Sequence, residues 1–265
     1  MADPTANHGR FAPGVAAGPF RLREIRYPAG LRQPRHAHDA CGITLVVAGV
    51  IRERAGSTEE IASALSIVVK PAGVEHSDDM GPRGARTLQI AFEPDWARRF
   101  EEGGVDIGQW RWLHGRCAAA GFLAVLRSLS GTSALELEDL VLEAVSAIPC
   151  REANDRVPPP WLGRVVESLQ DEPVGRSTVR ELADEVGAHP VTVSRAFKAH
   201  YGCTISEYRR RVRLRRAAAS IDEASRSLSR VAHAAGYADH AHLCREFRES
   251  TGLTPSEFRR LTEHG

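Results

Sequence analysis

The C-terminal part of the chain repeats itself once, and that repeat limits the fold more than any other feature. The first copy runs Leu182-Ala183-Asp184-Glu185-Val186-Gly187, then Pro190 to Phe197, Tyr201-Gly202 and Ser206-Glu207-Tyr208-Arg209-Arg210. The second runs Val231-Ala232-His233-Ala234-Ala235-Gly236, then His240 to Phe247, Thr251-Gly252 and Ser256-Glu257-Phe258-Arg259-Arg260. Ala183 matches Ala232 at an offset of 49, and Arg195 matches Arg245 at an offset of 50, so the second copy carries one extra residue in its turn. Two copies are too few for a solenoid, which needs about three repeats to bury a continuous core.

Each copy spells helix, tight turn, helix. Thr178 and Glu181 form a T-x-x-E capping box that starts a short helix. Gly187 stands where that helix must stop, a position suited to a left-handed residue. Pro190 is tolerated in the first turn of the next helix, where its missing N–H has no intrahelical partner. Val193 and Phe197, four apart, face inward. In the second copy Gly236 ends one helix, Asp239 caps the next, and Leu243 and Phe247 face the core. Thr204 with Glu207, and Thr254 with Glu257, cap the helices that follow. This is the sequence form of a DNA-binding helix-turn-helix, whose second helix enters the major groove. The open faces of the two second helices offer Val191, Thr192, Ser194 and Arg195, and then His240, Ala241, His242, Cys244 and Arg245. Arginine bonds a guanine edge bidentately and an apolar side chain touches a thymine methyl. The bland alternative pairs Arg195 or Arg245 with Glu207 or Glu249 on a solvated face. His240 and Cys244 share a helical face but His242 points elsewhere, which argues against one tetrahedral metal site there. The run Arg209-Arg210-Arg211 with Arg213, Arg215 and Arg216 reads as a phosphate clamp of which one or two members touch DNA.

The pattern A-x-x-x-G-x-x-P-x-x-V-S-R-x-F-K, repeated and closing on Gly252-Leu253-Thr254-Pro255-Ser256-Glu257-Phe258-Arg259, resembles the AraC/XylS family of bacterial regulators over about residues 161–265. The resemblance implies two helix-turn-helix units, about 178–200 and 227–250, joined by a long helix. Their recognition helices would enter successive major-groove segments, roughly 34 Å apart on one DNA face. It also places Arg195 and Arg245 where the family contacts bases or the adjacent backbone. His189 stands before the proline in place of the family's usual Ser.

Upstream, Arg151–Pro160 reads REANDRVPPP, and three prolines in a row prevent helix continuation. From Phe20 to Phe92 apolar and polar residues alternate between turn signals, as in Phe20 to Ile25, Ile43 to Val50, Leu65 to Val69 and Thr87 to Phe92, the mark of an antiparallel barrel or sandwich. Between Trp96 and Ile148 the pattern turns helical. Ser133 caps a helix with a stripe of Leu137, Leu140, Val141, Ala144, Val145 and Ile148, which packs either on the barrel or against a second copy.

Within the strand region Gly30, His36, His38 and Gly49 resemble the first cupin motif, G-x5-H-x-H-x3-E-x6-G, with Gly42 in place of its Glu. Pro71-Ala72-Gly73-Val74-Glu75-His76 resembles the second, P-x-G-x-x-H. The resemblance implies a small β-barrel with its histidines converging inside, since H-x-H on a strand points both rings to one face. His36, His38 and His76 then either hold a divalent metal, with Glu75 or Cys41 as neighbours, or line an effector pocket without metal.

The expected architecture is α+β with two domains. Residues 1–19 form a flexible N-terminus, 20–150 a cupin-like sensing and dimerisation unit with trailing helices, 151–160 a linker, and 161–265 an all-α DNA-binding unit. The five cysteines are scattered and form no C-x-x-C pair, which favours reduced thiols. Net charge is only +1, but residues 161–265 carry 17 Lys and Arg against 14 Asp and Glu, a mildly basic half. No apolar run reaches membrane-span length, and the Pro/Gly/Ala-rich start is not a signal peptide. The sequence thus reads as a cytoplasmic, non-enzymatic transcription regulator, in a homodimer, with double-stranded DNA and a small effector as partners. The alternative is a metal-dependent cupin oxygenase or isomerase using His36, His38 and His76.

Overall fold

A computed structural model describes residues 10–11, 13–114, 118–148, 158–171, 177–221 and 226–263. The N-terminal half is a nine-stranded antiparallel sheet made of β1 (Arg10–Phe11), β2 (Val15–Ala17), β3 (Phe20–Tyr27), β4 (Arg32–His36), β5 (Cys41–Ala55), β6 (Thr58–Ser63), β7 (Ser66–Lys70), β8 (His76–Phe92) and β9 (Arg111–His114). The strands run in the order β1-β3-β8-β5-β7-β9, with β2 on β3, β4 on β8 and β6 on β5.

Two long strands set the curvature. β5 and β8 pair along nearly their whole length, and their register slips between Val46 and Ala48 and again between Gly49 and Ile51. Such bulges bend and twist a sheet. Gly49 sits at the bend with φ 77°, and a Cβ there would lie 2.1 Å from the Gly84 carbonyl oxygen, so only glycine fits. The bend gives the sheet two apolar faces. One encloses Ile25, Tyr27, Val46, Ile51, Val68 and Met80, with Trp110 and Trp112 packed against them. The other, built on Phe20, Leu22, Ile43, Leu45, Leu88 and Ile90, receives the helices.

Those helices are α1 (Pro94–Glu102), α2 (Ala118–Ser128) and α3 (Ala134–Ser146). The Ser133 cap forms, with Glu136 closing a capping box. Leu137, Val141, Ala144, Val145 and Ile148 are buried in this molecule's own core beside α2, so the α3 stripe is used within the chain and is not left for a second copy. Two further expectations need correction. The stretch from Trp96 to Ile148 is not helical throughout, because Arg111–His114 adds β9 to the edge of β7. The N-terminus is not loose up to residue 19, because residues 10–11 and 15–17 pair with β3 through backbone hydrogen bonds that need no particular side chains. Residues 151–157 of the Pro-rich segment lie outside the described residues.

The C-terminal half is helical, with α4 (Leu162–Asp171), α5 (Val179–Val186), α6 (Pro190–Tyr201), α7 (Ile205–Ile221), α8 (Leu228–Ala234), α9 (His240–Thr251) and α10 (Pro255–Glu263). The two repeat copies are packed differently. The first has a core of its own, where Leu182, Ala183, Val193 and Phe197 meet Leu162, Val165 and Leu169 of α4. The second joins the core under the sheet, with Val231, Ala232, Leu243, Phe247 and Phe258 continuous with Phe122, Leu123 and Leu137, and α9 packed on α2. Arg86 of β8 reinforces that junction by donating to both Glu24 carboxylate oxygens, at 2.8 and 3.0 Å, and to the Leu261 carbonyl of α10.

Candidate nucleic-acid interface and effector pocket

The helix pair α5–α6 is set by its caps. Thr178 accepts from the Glu181 amide while the Glu181 carboxylate accepts from the Thr178 amide. Gly187 takes the left-handed conformation at φ 68° and ψ 33°, which turns the chain toward α6. His189 is the N-cap of α6, its Nδ1 accepting from the Val191 amide at 3.3 Å, so an imidazole does here what a hydroxyl does more often. In the second pair Gly236 has φ 86°, and Asp239 caps α9 by accepting from the His242 amide at 2.7 Å. Thr204 with Glu207, and Thr254 with Glu257, close reciprocal caps on α7 and α10.

These caps leave α6 and α9 each with one bare face. Val191, Thr192, Ser194 and Arg195 are all exposed on α6. His240, Ala241 and Arg245 are exposed on α9. Neither Arg195 nor Arg245 makes an ion pair or hydrogen bond among the described residues, so the expected alternative pairing with Glu207 or Glu249 does not form. His242 departs from the open face. Its Nε2 lies 3.5 Å from buried Glu246 and its ring stands edge-on to Tyr237 at 5.2 Å. Cys244 is half-buried, with Sγ 3.4 Å from His240 Nε2. The arginine run of α7 is largely spent inside the protein. Arg209 donates to the Ser177 carbonyl and Arg216 to the Gln170 carbonyl, Arg210 and Arg213 face Glu246, and Arg215 is held below its ordinary pKa by burial. The phosphate-clamp expectation of one or two members therefore narrows to Arg210, whose side chain is 61% exposed, and Arg211, which makes no ion pair or hydrogen bond among the described residues although Glu207 feels its charge.

A cavity of about 400 Å³ opens at one end of the curled sheet, between β3, β4, β5 and β8. Its wall includes Arg21, Arg23, Gln33, His36, His38 and Lys70. His36 closes β4 and faces His76 at the start of β8, in direct register. His38 lies beyond the end of β4, so strand alternation does not align it with His36, yet its ring still reaches the other two. The ligand atoms of the three histidines lie within 4.8 Å of one another. Glu75 is turned away to Arg35, and Cys41 is buried on the pocket wall.

Ring orientation is fixed from behind. His36 Nδ1 is 2.8 Å from the Pro34 carbonyl and His76 Nδ1 is 3.2 Å from the Val74 carbonyl. A carbonyl can only accept, so each Nδ1 carries a proton, and on the neutral His76 ring Nε2 presents a lone pair. The His76 Nε2 is buried and unpartnered. Burial, Lys70 and His36 push the His76 pKa down to about 3, which keeps the ring neutral. Beneath the histidines is a polar set that the sequence reading missed. Lys70 is paired with buried Glu53, which also accepts from Trp112 Nε1 at 2.7 Å. Burial works against the Lys70 ammonium, but the Asp78 and Glu53 carboxylates outweigh it and hold the group above its ordinary range. Glu53 occupies an inward position between Ile51 and Ala55, and that misplaced carboxylate was the available signal.

The family model described as an AraC-like ligand binding domain matches residues 18–145, and that of a helix-turn-helix domain matches residues 182–261. The chain belongs to the AraC family. Among curated AraC-type relatives, the transcriptional regulator RipA of Corynebacterium glutamicum is 34% identical over 122 residues, covering 44% of this chain and 37% of that protein. The regulator ArgR of Pseudomonas aeruginosa is 26% identical over 191 residues, covering 66% of this chain and 57% of that one. The chain thus spans about half the length of the curated relatives it matches. Among solved structures, ToxT from Vibrio cholerae superposes with a TM-score of 0.39 at 10% identity, covering 91% of this chain and 98% of that one. In AraC-family terms, the cavity and histidines fall in the ligand-binding part, and α6 and α9 in the helix-turn-helix part. No helix among the described residues is long and apolar enough to cross a membrane.

Proposed function

We propose that this protein is a sequence-specific transcription regulator that reads double-stranded DNA through the major groove with α6 and α9 and answers to a small effector in the sheet cavity. One observation carries the reading. Arg195 and Arg245 hold equivalent places in the two copies, both exposed and neither in an ion pair or hydrogen bond among the described residues. A guanidinium in that state is available for the bidentate contact to guanine O6 and N7. Val191, 48% exposed at the start of α6, suits a thymine methyl. Residues 20–150 act as the sensing unit and 161–265 as the DNA-binding unit. The free thiols of Cys41, Cys203 and Cys244 suit the cytoplasm, and dimerisation would let each subunit take a half-site. Binding-site selection from random duplexes tests the reading. Recovery of one motif, lost when Arg195 and Arg245 are both replaced by Ala, supports it, and recovery of no motif rejects it.

We further infer that His36, His38 and His76 hold a divalent metal ion. The fit rests on the donor set itself, three imidazoles whose ligand atoms lie within 4.8 Å of one another, with His36 and His76 anchored through Nδ1 to carbonyls and an unpartnered Nε2 on His76. Backing hydrogen bonds of this kind orient metal-binding histidines. The metal would supply a Lewis-acid position able to take an oxygen donor from the effector.

A further inference from the structure

We propose that the effector is a small carboxylate whose charge is met by Arg21, with Arg23 beside it. The inference rests on the reading of the cavity as the effector site. Strand register supplies the first part of the argument. Arg21 pairs with Ala91 and Arg23 with Gln89 on β8, whose other edge sets Gly42 beside Ala91 and Thr44 beside Gln89. Two rows of wall residues therefore cross three strands, Arg21-Ala91-Gly42 nearer the rim and Arg23-Gln89-Thr44 below. The rim row holds a guanidinium, a methyl and no side chain, which leaves room in front of Arg21. A Cβ on Gly42 would meet only the Ile90 carbonyl oxygen at 3.8 Å and Lys70 Cβ at 3.9 Å, so that rim position stands open although a side chain would fit.

Charge supplies the second part. Lys70 on the wall is already compensated by Glu53. Arg21 is exposed and has no ion pair or hydrogen bond among the described residues. The carboxylates on the wall are Asp39, which is exposed, and Asp78, which is buried beside His76 at 3.8 Å. The three histidines add no negative charge to the wall, and the buried lone pair of His76 Nε2, an acceptor, is left to the metal and not to an acid oxygen. A carboxylate answers the open guanidinium of Arg21, which binds it with two parallel hydrogen bonds. A neutral polyol would leave the guanidinium uncompensated. Trp110 is committed to His76 at 4.6 Å and to Lys70, and is not on the cavity wall.

Calorimetric titration of the full chain tests the proposal, with oxalate, succinate, 2-oxoglutarate and citrate as probes and glucose as the neutral control. The protein is titrated after loading with Co2+, whose visible bands report metal occupancy. At least one acid is expected to bind and glucose is not. Arg21→Ala should weaken that acid at least tenfold, and Arg21→Lys should restore part of the loss, while the cobalt spectrum of the unliganded protein stays unchanged. Binding of glucose in place of the acids, binding of none of the acids, or undiminished acid affinity in both Arg21→Ala and Arg23→Ala would each overturn it. A chain that binds an acid through Arg21 but takes up no Co2+ supports the carboxylate and removes the metal. Loss of the regulator reading would appear separately, as failure of the DNA selection.

Discussion

His36 and His76 face each other across the β4–β8 ladder with ring centroids 4.2 Å apart, each anchored through Nδ1 to the carbonyl two residues before it. Protein purified without a histidine tag should therefore carry close to one equivalent of divalent metal after exposure to it. His76→Ala should lower the affinity by well over tenfold, because one of three ligands is lost. Elemental analysis decides the matter, and less than a tenth of an equivalent in the parent protein would end the metal assignment.

The bare arginines of α6 and α9 make a second prediction. Arg245→Ala should weaken operator binding by roughly 1–3 kcal/mol and relax the preference at one base position, and Arg195→Ala should do the same in the other half of the site. Gel-shift titration against single-base operator variants reads both effects. Unchanged affinity and unchanged preference would remove the residue from the interface.

Gly187 isolates the cost of a turn. It sits at φ 68°, and a Cβ there would meet nothing within 4 Å, so Gly187→Ala pays no steric contact and feels only the left-handed backbone. The expected destabilisation is about 1 kcal/mol. Chemical denaturation measures it, and a neutral result would mean the α5–α6 turn adopts another conformation.

Acid stability should depend on Glu24. Burial pushes its carboxyl up, but Arg86 and Arg26 outweigh burial and hold it below 4.5. A carboxylate with a depressed folded pKa stabilises the fold above its unfolded pKa, and that stability is lost as pH falls through the folded value. The parent protein should lose stability below about pH 5, and Glu24→Gln should be less stable near pH 7 and show a flatter fall. Arg86→Ala should cost about 2 kcal/mol, the scale of lost charge-assisted hydrogen bonds, and should also loosen α10 from the sheet through the Leu261 carbonyl. Parallel pH slopes for the parent and Glu24→Gln would contradict the Glu24 assignment.

Much of this fold was legible because local chemistry dictated it. The Thr178–Glu181 box, the Ser133 cap and Gly187 are short-range devices, and period-two alternation marked β3, β5, β7 and the latter half of β8. Failures came where distant partners decide. Which of the α7 arginines are held inside the protein could not be read in advance, because Ser177, Gln170 and Glu246 are brought to them only by folding. Strands β1 and β2 rest on backbone pairing at a sheet edge, and β9 is too short to show alternation. In the cavity, the histidine spacing was readable and Lys70 was not, because its partner Glu53 lies on a strand that sequence alone does not place beside it.

The account depends most on two helices of one chain reading one duplex. Hydroxyl-radical footprinting on a selected operator tests this directly. The account predicts two protected major-groove segments on the same face, centred about 10 base pairs apart, with Arg195→Ala erasing protection in one and Arg245→Ala in the other. A single protected segment, or one that both variants erase equally, would contradict it.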